Sequence, residues 1–317
     1  MGKHSTPAAG IDTGKYKLDI ALHGRKDRLQ VDNDETGHGQ LSAWLRRYRI
    51  KRVGIEASGG YERAVIARLR KDGLTVIRFQ PLQVRAYADF RLQRAKNDKI
   101  DAVLIAACAA EATAIREAPD PRLEPLAEHL TLVEQIDEDI ARFKTRLEAV
   151  RDARLRQRLE EEIGRLKAWR SLELKQILAK LRQHADLARR LVLAASVQGV
   201  GERTALAFVI RAPELGRISR EQAAALVGVA PFDDDSAEQH NERHIAGGRS
   251  RLRKSIYAAA LAAAFHWNPH VMALYKRLRA AGKPHKLALV ACVRKLVIYV
   301  NTVLTRGTPW VSQPPAA

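Results

Sequence analysis

Only two of the 317 residues are cysteine, Cys108 and Cys292, and each sits inside an apolar helical pattern. Neither a disulfide framework nor a cysteine-rich zinc site can be built from them, so the expected compartment is the reducing cytosol. Long apolar runs are also missing. Residues 1–10 carry no apolar signal core, and the longest apolar stretch, 287–304, is broken by Arg294, Lys295 and Asn301. The expectation is a cytoplasmic protein without a membrane partner. The third shortage is of acid: Lys and Arg number 55 against 36 Asp and Glu, for a formal charge of +19. The excess is not a tail. Residues 1–110 carry 21 basic and 12 acidic residues, 111–190 carry 17 and 16, and 191–317 carry 17 and 8. Two basic regions flanking a neutral one point to folded surfaces that face a polyanion, nucleic acid first.

A chain of this length accommodates two or three compact units. Residues 8–13, 17–23 and 28–32 read as three short strands joined by Gly14-Lys15 and Gly24-Arg25, an antiparallel meander. Leu41, Trp44, Leu45 and Tyr48 then recur at helical spacing. A strand over 52–57, a helix over 61–71, a strand over 74–79 and a helix over 81–93 follow. A further helix starts near Asp98, with its acids at the end that the helix dipole favours. The predicted order, βββαβαβα followed by helices alone, is α/β plus all-α.

No strand pattern occurs between about 123 and 193. Ile136, Ile140, Phe143, Leu147 and Val150 step by 4, 3, 4 and 3, and Leu155, Leu159, Ile163 and Leu166 continue the stripe. That is a coiled-coil-like heptad seam. It predicts two long helices that fold back on each other or pair with a second copy, and the second arrangement, a homo-oligomer, is the expectation. The last third is helical again, with a capping box at Ser219 and Gln222, helix starts at Asn268-Pro269 and after Pro284, and a polar loop over 232–249.

Four acids stand out by position. Asp12 lies in the first strand, Glu56 at the end of the fourth, and Asp98 and Asp101 one turn apart on a helix. If the first and fourth strands are neighbours and the helix lies over them, four carboxylates converge. Such a group needs cations, because like charges a few ångströms apart repel strongly, and two Mg²⁺ ions would serve.

The segments around these acids are Gly10-Ile11-Asp12, Gly54-Ile55-Glu56-Ala57-Ser58-Gly59-Gly60-Tyr61 and Ala95-Lys96-Asn97-Asp98-Lys99-Ile100-Asp101-Ala102. They resemble the motifs of the DEDD transposases, the insertion-sequence family numbered one hundred and ten. The resemblance implies a RuvC-like, ribonuclease-H-like mixed-sheet domain over 1–113. It also implies that Asp12, Glu56, Asp98 and Asp101 form a metal-binding acidic tetrad. The remaining expected divisions are a helical spacer over 114–190 and a helical domain over 191–317.

Val197-Gln198-Gly199-Val200-Gly201, followed by Ala205 and Phe208, has the spacing of a helix-hairpin-helix. Gly199 and Gly201 would let backbone N–H groups approach a phosphate, with Arg203 assisting. Further on come Ala230-Pro231-Phe232, Ser236, and the basic run Arg243, Arg249, Arg251 and Arg253. The stretch 196–310 is similar to the second conserved domain of the same family, in which a serine after such an Ala-Pro-Phe segment acts with the tetrad. The resemblance assigns that role to Ser236. The family usually has glycine directly after this serine and again a few residues on, where this chain has Ala237 and Asn241.

The implied activity is site-specific DNA recombination, with Ser236 as nucleophile and the arginines supplying positive charge. The implied partners are donor and target DNA and a structured bridge RNA. Three other readings remain. A Holliday-junction nuclease would share the acids but use water, and a nucleic-acid-binding scaffold would use neither. A sugar-kinase-like enzyme would share Gly10–Lys15 but needs an Asp-x-Gly-Gly motif that the chain lacks.

Overall fold

The computed structural model describes residues 7–92, 98–113, 120–232, 235–236, 239–240 and 244–311. The chain divides into two compact units, Met1–Ala118 and Pro119–Ala317.

In the first unit, β1 (Ala8–Thr13), β2 (Lys17–Leu22) and β3 (Arg28–Asp32) form the expected antiparallel meander. There follow α1 (Glu35–Arg47), β4 (Arg52–Glu56), α2 (Arg63–Lys71), β5 (Thr75–Phe79), α3 (Pro81–Phe90) and α4 (Asp98–Glu111). The strand order is β3-β2-β1-β4-β5, with β4 parallel to both β1 and β5. This is the mixed sheet of a ribonuclease-H-like fold. Strand alternation separates two apolar layers. Ile11, Leu18, Ile20, Val53 and Ile55 pack with Leu41 and Leu45 of α1 and Val65 and Leu69 of α2. Ile77 and Phe79 pack with Val84 of α3 and Leu104, Ile105 and Ala109 of α4 on the other side.

The second unit opens with two long helices, α5 (Leu123–Ala149) and α6 (Ala153–Arg182). Next come α7 (Ala185–Ala195), α8 (Glu202–Arg211) and α9 (Arg220–Val227). Where sequence reading placed a polar loop, four two-residue strands occur: β6 (Pro231–Phe232), β7 (Asp235–Ser236), β8 (Gln239–His240) and β9 (His244–Ile245). Ladders this short leave no alternation to read. The chain ends with α10 (Ser250–Ala262), a π-helical turn at Ala263–Trp267, α11 (Pro269–Ala280) and α12 (His285–Arg306).

The heptad stripes meet inside the chain over their middle, while Leu155 near the start of α6 stays exposed. Ile136 and Ile140 of α5 pack with Ile163 and Leu166 of α6, flanked by Phe143 and Leu147. The turn that folds them together is fastened locally. Asp152 caps α6 by accepting from Leu155 N at 2.9 Å, and Arg156 Nη1 donates to Leu147 O and Val150 O, each at 2.9 Å. Nearer its start, α5 contributes Leu123, Leu126, Leu130 and Val133 to the core shared by α7–α12. α12 has the length and composition of a membrane-crossing helix, yet half of its most apolar window is buried. Leu289, Cys292, Leu296, Val297 and Val300 make it a helix of that core. Both cysteines are inert thiols: burial pushes Cys108 up to about 12 and Cys292 up to about 11.

Candidate active site

β1 and β4 run parallel with Gly10 beside Gly54 and Ile11 beside Ile55. Asp12 and Glu56, the next residues, therefore stand side by side at the C-terminal ends of the two strands. On the other flank β2 pairs Asp19 with Asp12, and β3 pairs Gln30 with Asp19. Residues directly opposite one another on neighbouring strands point to the same face, so these four form a row across the sheet. Gln30 Nε2 donates to Asp19 Oδ1 at 2.9 Å. Asp19 reads from sequence as a surface residue. The hairpin register instead makes it the partly buried neighbour of Asp12.

The face that carries this row is the one α4 covers. Gly10 and Gly54 lie two residues before Asp12 and Glu56 and so share their face. A Cβ on Gly10 would fall 2.2 Å from both Ala102 O and Ala106 N, and one on Gly54 would fall 2.9 Å from Ile105 O and Ala109 Cβ. Arg52, two residues earlier on β4, donates to Ala109 O at 3.2 Å and Ala112 O at 3.3 Å. Moving up β4 thus moves back along α4, so helix and strand are antiparallel. Two more strand residues, about 6.6 Å of rise, match a little over one helical turn. That step brings Asp12 and Glu56 beneath the first turn of α4, which contains Asp98 and Asp101.

The side chain of Asp98 lies outside the described residues. Among the described residues, no three His, Cys, Asp or Glu side chains are close enough together to hold a metal ion. The donor types still suit a hard cation: carboxylate oxygens fit Mg²⁺, whereas the thiols lie buried elsewhere.

The loop after Glu56 is fastened by a residue that motif reading passed over. Glu62 is 3% exposed. Its Oε2 accepts from Ser58 N and Ser58 Oγ, each at 3.2 Å, and from Gly60 N at 2.9 Å, and Arg78 lies 3.7 Å from Oε1. Burial alone would raise its pKa. The N–H groups of Glu62, Gly60 and Ser58, with the Ser58 hydroxyl, outweigh burial and hold it below the ordinary carboxylate value. This carboxylate delays α2 to Arg63, two residues later than the periodicity predicts. Asn33 ties the same loop to the β1–β2 turn, its Nδ2 donating to Gly14 O at 3.0 Å and Tyr61 O at 3.1 Å. His38 Nε2 lies 2.8 Å from Asn33 Oδ1. That oxygen only accepts, so His38 carries its proton on Nε2. Burial lowers the His38 pKa, which keeps the imidazole neutral.

In the second unit, Ser236 belongs to β7 and pairs with Gln239 of β8, inside an outer ladder that pairs Phe232 with His244. Its side chain lies outside the described residues, as do Ala237, Asn241 and Arg243 altogether. The stem of this ribbon is well defined. Gly228 ends α9 at φ +78°, and a Cβ on Gly248 (φ +70°) would fall 2.2 Å from Gly228 N, so only glycine fits. Arg253 Nη1 donates to Val227 O, Gly228 O and Gly247 O at 3.0, 3.2 and 2.7 Å. Arg249 donates to Arg211 O at 2.6 Å and pairs with Glu214. Arg251 pairs with Glu134 at 3.0 Å and Arg203 with Asp137.

The Gly199 turn does join two helices, α7 and α8, and is fitted to its own protein. A Cβ on Gly199 (φ +92°) would fall 2.4 Å from Ala263 Cβ, and Asn268 Nδ2 donates to Gln198 O at 2.9 Å. Gly201 has open space around it and caps α8.

Comparison with known proteins places these two sites in one family. Residues 9–157 match the DEDD family model of IS110, described as "Transposase", and residues 192–276 match "Transposase IS116/IS110/IS902 family". The chain belongs to the IS110 family of transposases. The first match spans the carboxylate row and the second spans the Ser236 ribbon. As an IS110-family member the protein is a DNA transposase or recombinase. DEDD and RuvC-like nucleases typically use divalent metal ions.

Among its relatives are the "Pilin gene-inverting protein" of Moraxella bovis and that of Moraxella lacunata. Each is 24% identical over 317 residues, covering 95% of this chain and 96% of the relative. The "Insertion element IS110 uncharacterized 43.6 kDa protein" of Streptomyces coelicolor is 29% identical over 123 residues, 38% of this chain and 30% of that one. Among solved structures, T. thermophilus RuvC in complex with Holliday junction substrate matches at 17% identity and a TM-score of 0.26, covering 32% of this chain and 90% of that one. That likeness adds nothing to the topology described above.

Proposed function

We propose that this transposase cuts and rejoins DNA with two sets of residues, the acids Asp12, Glu56, Asp98 and Asp101 and the nucleophile Ser236. The observation that carries the reading is the placement of Asp12 beside Glu56 under the first turn of α4, where glycines admit the helix to contact distance. Two Mg²⁺ ions bound there would supply Lewis acidity toward a phosphodiester and offset the charge of the four acids.

The serine oxygen attacks phosphorus and loses its proton. The bond from phosphorus to the DNA oxygen breaks, and that oxygen leaves as a hydroxyl. The resulting phosphoserine keeps the energy of the broken bond, so the reverse attack by a DNA hydroxyl reseals a strand without ATP. The Moraxella relatives are named for inverting a gene, which agrees with conservative cutting and rejoining.

Arg203 and Arg251, 43% and 47% exposed as side chains, can exchange a carboxylate for a DNA phosphate. Arg243 joins them on the same reading, with Gly199 and Gly201 as backbone phosphate contacts. Arg249 and Arg253 act from the stem. A bridge RNA pairing with donor and target DNA would leave the protein to read backbone and shape, and a dimer or tetramer would bring two sites together.

Purified protein, its flanking RNA, Mg²⁺ and two DNA sites should yield joined product, read on a denaturing gel. Asp12→Asn should stop cleavage, and unchanged cleavage would remove the acid site. Ser236→Ala should also stop it, whereas cutting that survives without joining would mark a hydrolase that uses water.

A further inference from the structure

The cations of the second unit are unevenly matched. Those near α5 are paired with acids, Arg203 with Asp137, Arg211 and Arg251 with Glu134, and Lys254 with Glu138, and Arg249 is paired with Glu214. The end of the chain, which carries α11 and α12, has little acid nearby in sequence. No Asp or Glu follows Glu242, whereas thirteen Lys and Arg do.

Between α11 and α12 this unmatched charge borders a cavity of about 270 Å³, lined by His270, Ala273, Leu274, Arg277, Lys295 and Tyr299. Arg277 and Lys295 are exposed, and neither has a carboxylate partner among the described residues. The wall is aromatic. The rings of Tyr299 and Trp310 lie 4.2 Å apart, His270 meets Trp310 edge-on at 6.4 Å, and Lys295 Nζ sits 5.1 Å from the Tyr299 ring centre. Just before it in the chain, the π-helical turn exposes Phe265 and Trp267, and such a turn recurs at functional sites.

We infer that this cavity receives one unpaired nucleotide of a single-stranded nucleic acid. The base stacks against the Tyr299 and His270 side of the pocket, and Arg277 and Lys295 take the flanking phosphates. A flat ring beside two unmatched cations answers to a base with its backbone. A duplex keeps its bases stacked and could offer the rings nothing. The inference deepens the transposase reading, since strand exchange and RNA guidance both require unpaired nucleotides, but it concerns binding and not cleavage.

The test uses the full-length protein with a short oligothymidylate, a short oligouridylate and a blunt duplex. Tyr299→Ala should weaken single-strand binding roughly five- to 150-fold, the range for losing one stacked base, and leave duplex binding unchanged. Tyr299→Phe, which keeps the ring, should restore it. Arg277→Ala and Lys295→Ala should each lower the slope of log affinity against log salt by about 0.7 on single strands. Tyr299 is half-buried, so the surface pair Arg277→Glu with Lys295→Glu gives an independent check that does not disturb the core.

Loss confined to oligouridylate identifies the occupant as RNA, and loss confined to oligothymidylate identifies it as DNA. Unchanged single-strand affinity in the glutamate pair, or equal losses on single strand and duplex, overturns the inference. Neither result bears on the acid site, which stands or falls with Asp12→Asn cleavage.

Discussion

In the first unit, Asp12 and Glu56 sit on neighbouring strands whose spacing the hydrogen-bond ladder sets, and α4 is pressed onto them where Gly10 and Gly54 have no side chain. In the second, Ser236 stands on a two-residue strand near the tip of a narrow ribbon, and its position depends on a stem of glycines and one guanidinium. The acids are therefore placed by a cooperative sheet, while the serine is placed by a handful of hydrogen bonds. On the proposed function, acids that hold a metal would need the fixed spacing a sheet provides.

That contrast can be broken most forcefully at Gly10. Gly10→Val should destabilise the first unit by about 3 kcal/mol or more, because its side chain would enter the backbone of α4. Hydrogen exchange should show protection lost over the sheet while α7–α12 keep theirs, and a fold that tolerates valine would refute the close crossing.

Asp12→Asn should leave exchange protection intact. Cleavage should fall by more than the roughly 10- to 100-fold typical of removing a mere supporting partner of a metal ligand. Arg253→Ala tests the other side of the comparison. It strips a charged donor from three carbonyls, so the stem should weaken by about 2 kcal/mol and cleavage should drop with the first unit unchanged. Arg253→Lys should restore only part of this, since a flexible ammonium stem is not held in place as the planar guanidinium is.

Acidification should loosen the first unit in two stages. His38 is held neutral, its folded pKa lying below its unfolded value of about 6.5, so stability is full above that pH and declines as pH falls toward the folded pKa. Glu62 is also depressed. Its contribution is complete above the ordinary carboxylate range and is lost as pH falls through its folded pKa. Glu62→Ala should cost about 1–3 kcal/mol at neutral pH and remove the lower stage, as followed by thermal melts across pH. The smallest effect should come from Gly39→Ala. Gly39 lies within α1 with open space around it, so this change should stabilise by about 0.5–1 kcal/mol. A loss there would mean that α1 is packed more closely than described.

Much of the first unit was legible because strands and helices have different apolar periods, and βββαβαβα leaves few ways to arrange a mixed sheet. The neighbours of the acids were not. Asp19 reaches Asp12 only through the register of a hairpin, and Glu62 matters only because the loop curls back onto it. In the second unit, a heptad stripe has the same spacing whether its partner is the next helix or another chain. Asp152 and Arg156 turn it inward. The arginines of the basic run were visible as charge, but composition does not say which of them already face Glu134, Glu214 or a carbonyl.

By itself the amino-acid order determined the succession of strands and helices, the motifs that mark an IS110 transposase, and the excess of positive charge. These depend on local periodicity and residue type, which survive without knowledge of any contact. Tertiary structure alone decided which acid stands beside which, why glycine is needed at positions 10, 54 and 248, and which residues of α11 and α12 line one cavity. Those are distances between residues far apart in the chain, and only packing converts chain separation into distance.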